Sequence, residues 1–293
     1  YTVKDETVEF EIKDGKLVDK EIVEMLDNPS VVKISKTDVA GAEVPGAVLK
    51  LTLTKPSKSA DAALSSNASE TVSVSENGKT LTWTSADKPV EFTKLPDGEY
   101  ILEESVAPDG YTVTGAVKFT VENGVLKSDS VTVPNIGESR VDAATGTVVM
   151  VDELSGASFS KQDVTGKEIP GATLTLTGEK DLSKVKSETE LKTSEDKKTV
   201  SWTSKDEPTV LKGLPDGTYT LTEDQAPVGY LIAESITFNV VDGKPVPENV
   251  IMQDKYSSVK ISKTDINKSE EIPGAVLTVK LVEPTKTEKA TLE

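Results

Sequence analysis

The stretch Val32–Asp38 alternates strictly, which places Val32, Ile34 and Lys36 on one side of a β-strand and Lys33 and Ser35 on the other. Lys36 therefore falls on the apolar side, where an ammonium needs a partner or must give up its charge. The same pattern returns at Ala157–Asp163 and at Val259–Asp265, putting Lys161 and Lys263 in the equivalent place. Three copies of one anomaly restrict the chain to tandem repeats, each of which must neutralise its own lysine.

Other phrases repeat in a fixed order. Each lysine strand leads through a turn into Val44-Pro45-Gly46-Ala47, Ile169-Pro170-Gly171-Ala172 or Ile272-Pro273-Gly274-Ala275, and then into an alternating strand. The first two copies continue with a polar stretch, a short tryptophan strand (Leu81–Thr84, Val200–Thr203) and a Pro-Asp-Gly turn at 96–98 and 215–217. Next come Tyr100-Ile101-Leu102-Glu103-Glu104 and Tyr219-Thr220-Leu221-Thr222-Glu223, whose alternation carries Glu104 and Glu223 onto the apolar side. Ala-Pro-x-Gly-Tyr turns follow at 107–111 and 226–230. The closing strands, Val148–Asp152 and Val250–Asp254, turn Asp152 and Asp254 inward, and the opening segment ends in the same way with Val23, Met25 and Asp27. Asp27, Asp152 and Asp254 each stand nine residues before the next lysine of the series.

This layout predicts an all-β chain of tandem Ig-like β-sandwiches in a linear array. The expected boundaries are 1–29 (closing strands of a preceding repeat), 30–155 and 156–256 (complete repeats), and 257–293 (opening strands of a following repeat). The very short linkers suggest a stiff rod of beads, and the chain reads as an internal segment of something longer.

Composition narrows the chemistry. The 293 residues include neither Cys nor His, which removes disulfides, thiol and imidazole catalysis and most transition-metal sites. No cofactor or metal is expected. The net charge of −17 repels nucleic acid and anionic lipid, and no apolar run approaches the roughly 18–20 residues of a membrane span. Neither nucleic-acid binding nor membrane insertion is expected.

Each complete repeat thus has a lysine, a glutamate and an aspartate at core-facing positions of its first, a middle and its last strand. Two readings are open at this level. One is a buried ion triad that fixes the fold, which the pattern alone favours. The other is a covalent amide between lysine and aspartate. Desolvation favours the neutral amine and the neutral acid, which can condense with loss of water, and the glutamate can move the proton.

Taken together, Ser-Lys-x-Asp, Ile-Pro-Gly-Ala, Leu-Pro-Asp-Gly-x-Tyr, Glu-x-x-Ala-Pro-x-Gly-Tyr and Val-x-Met-x-Asp resemble the CnaB (SpaA-type, prealbumin-like) repeats of Gram-positive pilins and cell-wall-anchored adhesins. The parent domain of the SpyTag/SpyCatcher ligation pair is of the same type, and its tag has a closely similar Val-Met-Val-Asp. The resemblance implies a spontaneous isopeptide bond in each repeat, assisted by glutamate. Carried onto this chain, Lys36 bonds Asp152 with Glu104 assisting, and Lys161 bonds Asp254 with Glu223 assisting. The same resemblance implies an extracellular, bacterial cell-surface location and adjoining repeats of the same polypeptide or fibre as partners.

Asn135 is a second candidate acceptor in the first repeat, because it lies 16 residues after Phe119 as Asp254 lies 16 after Phe238. Asp152 is preferred, since its motif and its nine-residue spacing are intact; 122–147 then reads as an added hairpin or loop. Asp27 and Lys263 match the motif without a partner in this segment. The turn aspartates Asp38, Asp163 and Asp265 lack calcium-loop spacing and read as solvated turns. Trp83 and Trp202 read as core or groove packing. The expected function is a structural stalk or shaft stabilised by these bonds, not a turnover enzyme. The alternative is a binding module that contacts a host protein or glycan through one repeat face.

Overall fold

The computed structural model describes residues 2–4, 6–18, 22–127, 139–268 and 270–282. Every helix-or-strand element among them is a β-strand. The chain divides into two units, Tyr1–Ser155 and Gly156–Glu293. No helix among the described residues is long and apolar enough to cross a membrane.

The first unit opens with two small ribbons. β1 (Thr2–Val3) pairs with β4 (Asp27–Asn28), and β2 (Ile12–Lys13) pairs with β3 (Lys16–Leu17). Its sandwich is built from β5 (Val31–Asp38), β6 (Val48–Pro56), β7 (Ser73–Val74), β8 (Thr80–Thr84), β9 (Val90–Thr93), β10 (Gly98–Val106), β11 (Val117–Glu122), β12 (Val125–Lys127), β13 (Arg140–Asp142) and β14 (Thr147–Asp152). One sheet has the order β12-β11-β10-β6-β8-β7 and the other β13-β14-β5-β9. All pairings are antiparallel except that of the first and last strands of the smaller sheet, β5 and β14, which run parallel.

The second unit repeats the plan. Its strands are β15 (Gly156–Asp163), β16 (Thr173–Gly178), β17 (Lys192–Thr193), β18 (Thr199–Thr203), β19 (Thr209–Lys212), β20 (Gly217–Gln225), β21 (Ile236–Val241), β22 (Lys244–Val246) and β23 (Asn249–Asp254). They form a larger sheet β17-β18-β16-β20-β21-β22 and a smaller one β19-β15-β23, with β15 and β23 parallel. β13 has no counterpart here. In the first unit it pairs along β14, and both faces of β14 are buried; β23 keeps one exposed face.

Alternation explains the core. Along β10, Gly98, Tyr100, Leu102 and Glu104 are buried while Glu99 is exposed. The two sheets meet through Leu49, Leu51, Leu81, Tyr100, Leu102 and Phe119 from one side and Val32, Ile34, Phe92, Val148 and Met150 from the other. The tryptophans belong to this layer. Trp83 meets Phe92 edge-on with ring centroids 5.0 Å apart, and Trp202 meets Phe159 at 5.5 Å.

The Pro-Asp-Gly turns have a second task. Asn123-Gly124 and Asp242-Gly243 are two-residue hairpin turns with positive φ at both positions, the geometry that matches strand twist. The Asp97 carboxylate accepts both N–H groups of the first turn (2.8 and 2.9 Å), and Asp216 does the same for the second (2.8 Å each).

Two local expectations change. Ser35, placed on the polar side by alternation, is buried because the Glu43 side chain covers it and accepts its hydroxyl. Asp163 is not a solvated turn residue. It is 4% exposed, and its carboxylate accepts the N–H groups of Thr165 and Lys167 and the Tyr256 hydroxyl.

Candidate functional site

Lys36 occupies the sixth position of β5, directly opposite Met150 of the parallel strand β14. Two residues further on, and therefore on the same face, stands Asp152. The Lys36 Nζ is in direct contact with Asp152 Oδ1. Glu104 reaches the same amine from β10 in the facing sheet, with its Oε1 3.0 Å from Nζ. The other Glu104 oxygen accepts the backbone N–H of Thr114 at 2.8 Å, which fixes the carboxyl plane.

The second unit reproduces this arrangement. Lys161 lies opposite Met252, its Nζ contacts Asp254 Oδ1, and Glu223 Oε1 stands 3.0 Å away. Glu223 Oε2 accepts the Ala233 N–H at 2.7 Å. In both sites the lysine is 1% exposed, the aspartate 0%, and the glutamate 6–7%. Six ionisable groups are thus sealed from water in two sets of three.

The charges do not balance: one ammonium faces two carboxyls. Burial pushes the Asp152 carboxyl up to about 7; Lys36 opposes this, and the charge of and hydrogen bond with Glu104 add to it. Asp254 is raised in the same way, mainly by burial, with Glu223 contributing and Lys161 opposing. Asp152 Oδ2 and Asp254 Oδ2 have no hydrogen-bond partner, while Glu104 Oε1 and Glu223 Oε1 meet the lysine amine as ion pairs without a hydrogen bond. The raised aspartate is the group that burial drives towards its neutral form, and one proton on it balances the charges at each site. Each site thus holds a lysine amine against an aspartate carboxyl away from water, with a glutamate carboxyl 3.0 Å from the same amine.

The remaining candidates are placed differently. Asn135 falls within 128–138, outside the described residues. Asp27 in β4 and Lys263 are exposed. Sequence reasoning passed over Glu43 and Glu168, whose carboxylates accept the backbone N–H of Lys36 (3.1 Å) and Lys161 (3.0 Å). Their signal was visible: a glutamate stands immediately before each Val/Ile-Pro-Gly-Ala phrase. The orienting amides of Thr114 and Ala233 carry no side-chain signature, so only their shared ten-residue offset from the glutamate pointed to them.

Comparison with known proteins places the two sandwiches in a family. Residues 30–133 and 155–255 each match the SpaA prealbumin-like fold domain. No curated protein matches the chain. Among solved structures, the Bacillus anthracis TIE protein is 22% identical with a TM-score of 0.36, over 78% of this chain and 34% of that one. The chain therefore spans about a third of that structure's length. The C-terminal fragment of the pilus adhesin SpaC from Lactobacillus rhamnosus GG is 17% identical with a TM-score of 0.41, over 79% of this chain and 99% of that one. The shaft pilin SpaA from the same organism is 16% identical with a TM-score of 0.29, over 80% and 100%. The two matched stretches cover the greater part of the sequence, and the chain belongs to the SpaA prealbumin-like fold domain family.

Proposed function

We propose that this chain is a structural stalk or shaft segment of a bacterial surface adhesin or pilus-like fibre, locked by intramolecular Lys36–Asp152 and Lys161–Asp254 isopeptide bonds. One observation carries the reading: both sandwiches bury the same lysine against an aspartate carboxyl, 3.0 Å from a glutamate on the facing sheet. An ion triad alone gives a weak return for the desolvation of three charged groups. Condensation removes two of them.

In this reaction Glu104 takes a proton from the Lys36 ammonium, and the uncharged Nζ attacks Cγ of protonated Asp152. Glu104 passes that proton to the departing hydroxyl, which leaves as water, and takes up the one that the nitrogen sheds. One C–N bond forms, one C–O bond breaks, and Glu104 ends protonated, so the site stays neutral. Holding the reactants on neighbouring strands supplies the proximity that bimolecular amide formation lacks, worth up to about 7–11 kcal/mol of barrier. Each glutamate acts once, on its own chain, so the protein is not a turnover enzyme.

The crosslinked beads correspond to residues 30–155 and 156–256, and Asp27 and Lys263 in 1–29 and 257–293 belong to neighbouring copies of the same motif. Partners are adjoining repeats of the same polypeptide or fibre, at the bacterial cell surface. A covalent tie that is indifferent to redox conditions suits a chain without cysteine. Intact-mass measurement on the purified chain tests the reading: a deficit of two waters is expected, and the full unmodified mass would sink it.

A second reading has one observation in its favour. Val228, Leu231, Ile232 and Tyr256 are about half exposed near a groove lined by Ile169, Pro170, Pro227 and Tyr230. As a host-contact face it predicts binding to an extracellular-matrix protein or glycan array that Ile232→Asp abolishes.

A further inference from the structure

The glutamate that precedes each Pro-Gly-Ala phrase does more than cover a strand end. The antiparallel neighbour of β5 stops early: β9 pairs only with Val31–Ile34. Likewise, β19 pairs only with Gly156–Phe159 of β15. Lys36 and Lys161 lie just beyond, where the side of the strand facing away from β14 or β23 has lost its partner. A buried backbone N–H left there would have no acceptor.

A clamp takes over at this point in each unit. Glu43 Oε2 accepts the Lys36 N–H at 3.1 Å, while the Val44 N–H donates to the Lys36 carbonyl at 2.7 Å. Glu168 Oε2 accepts the Lys161 N–H at 3.0 Å, while the Ile169 N–H donates to the Lys161 carbonyl at 2.8 Å. The second carboxylate oxygen is occupied as well, by the Ser35 hydroxyl in one case and by Gln162 Nε2 in the other. Lys263 shows the same device with no sandwich around it. Glu271 accepts its N–H at 3.1 Å and the Ser262 hydroxyl, and the Ile272 N–H donates to its carbonyl at 2.7 Å. The clamp is therefore local, made by residues within one short hairpin.

We propose that Glu43 and Glu168 are positioning residues for the crosslink, acting through the lysine backbone. This rests on the crosslinking reading above. Fixing both the N–H and the C=O of the lysine fixes the peptide planes on either side of its Cα, and hence the direction of Cβ. A slip of one residue would turn the amine out of the core. The clamp prevents that slip at the one place where the antiparallel neighbour no longer does. A carboxylate is suited to the task because its hydrogen bond to an amide is charge-assisted. Because it is local, it sets the lysine before the last strand, with its aspartate, arrives.

The test follows bond formation in time. The full 293-residue chain is synthesised as a pulse in a cell-free system, quenched in denaturant at intervals and digested, and the joined Lys161–Asp254 peptides are quantified by mass. Glu168→Ala is expected to slow this bond by about tenfold or more, since displacing reacting groups by about 1 Å can cost on the order of a hundredfold. Glu168→Gln keeps an acceptor for the Lys161 N–H and is expected to stay within about twofold of the unsubstituted rate, by the same positional reasoning. The Lys36–Asp152 bond in the same molecules serves as the internal clock. Thermal midpoints in an Asp254→Ala background report any general loss of stability. An unchanged rate in Glu168→Ala, or equal slowing in both variants in step with lowered midpoints, overturns the positioning role. If the unsubstituted chain never joins the two peptides, the crosslinking reading itself fails and the positioning role falls with it.

Discussion

Lys36 and Asp152 stand on parallel neighbouring strands, 116 residues apart in sequence and in direct contact through Nζ and Oδ1. Parallel neighbours need a long crossover, and here nearly the whole domain is the crossover. The contact therefore joins the strand where the chain enters the sandwich to the point where it leaves. Lys161 and Asp254 repeat this at a separation of 93. A bond at either place would enclose the domain in a loop of about a hundred residues, worth about 4–5 kcal/mol by the chain-entropy treatment of crosslinks.

Removing one glutamate should stop one bond and leave the other. Glu104→Ala is expected to raise the intact mass by one water relative to the side-chain change alone, with the retained water traced to Lys36 and Asp152. Glu223→Ala should do the same for Lys161 and Asp254. Each variant also loses the entropic benefit of its loop, so the affected domain should unfold at distinctly lower denaturant concentration. Chymotryptic digestion with mass readout checks both. A bond that forms fully without its glutamate would refute the proton-transfer role.

Protonation sets a pH limit on the same reaction. Burial holds the Asp152 carboxyl at about 7, above its ordinary range, so the neutral acid persists from low pH up to near neutrality. Above that point the carboxylate, a poor electrophile, takes over. The rate of Lys36–Asp152 bond formation should therefore fall as pH rises through about 7, and Asp254, raised for the same reason, should follow in the same direction. Pulse synthesis across a pH series, read as joined peptides, measures this. A rate that climbs steadily to high pH would mean that amine ionisation alone governs the step.

Much of this was legible in the residues. Strict alternation placed Lys36, Glu104 and Asp152 on inward faces, because a half-buried strand has a period of two and a one-residue error would expose its whole apolar set. Pairing partners were less accessible. Nothing in the local pattern says that β14 runs parallel to β5, since that depends on which edge the last strand reaches after the chain has crossed both sheets. The hairpin turns Asn123-Gly124 and Asp242-Gly243 carried a strong signal that the polar surroundings obscured, and the role of Asp97 and Asp216 in holding them is a contact across 26 residues. Ser35 shows a further limit. Alternation assigns it to the wet side, and only the tertiary position of Glu43 buries it.

Close packing at one glycine should be measurable in isolation. A Cβ on Gly178 would stand 2.6 Å from Cε1 of Tyr219, whose ring is buried and stacked on Phe238 with centroids 5.6 Å apart. Neither ring can retreat without disturbing the core. Gly178→Ala is expected to cost about 1–3 kcal/mol. Gly156→Ala, where a Cβ meets nothing within 4 Å, should stay within about 0.5 kcal/mol. Urea unfolding followed by Trp202 fluorescence in a Trp83→Phe background gives both values. Equal effects at the two positions would contradict the packing described.

Mechanical loading separates a crosslinked sandwich from a merely stable one. Because β5 and β14 are parallel, tension entering at Val31 runs along β5 to Lys36, and a Lys36–Asp152 bond would pass it straight to the exit strand. The residues between would carry no load and could not be drawn out. Without the bond, unfolding would release roughly 390 Å of chain between Lys36 and Asp152, and roughly 320 Å between Lys161 and Asp254, at about 3.4 Å per residue. Single-molecule pulling through handles on the two ends should therefore show neither step in the unsubstituted chain. Both should appear in the Glu104→Ala, Glu223→Ala double variant, and the shorter one alone in Glu223→Ala. If the unsubstituted chain releases the full lengths, the sandwiches hold by packing and ion pairing only, and the stalk reading loses its mechanical basis.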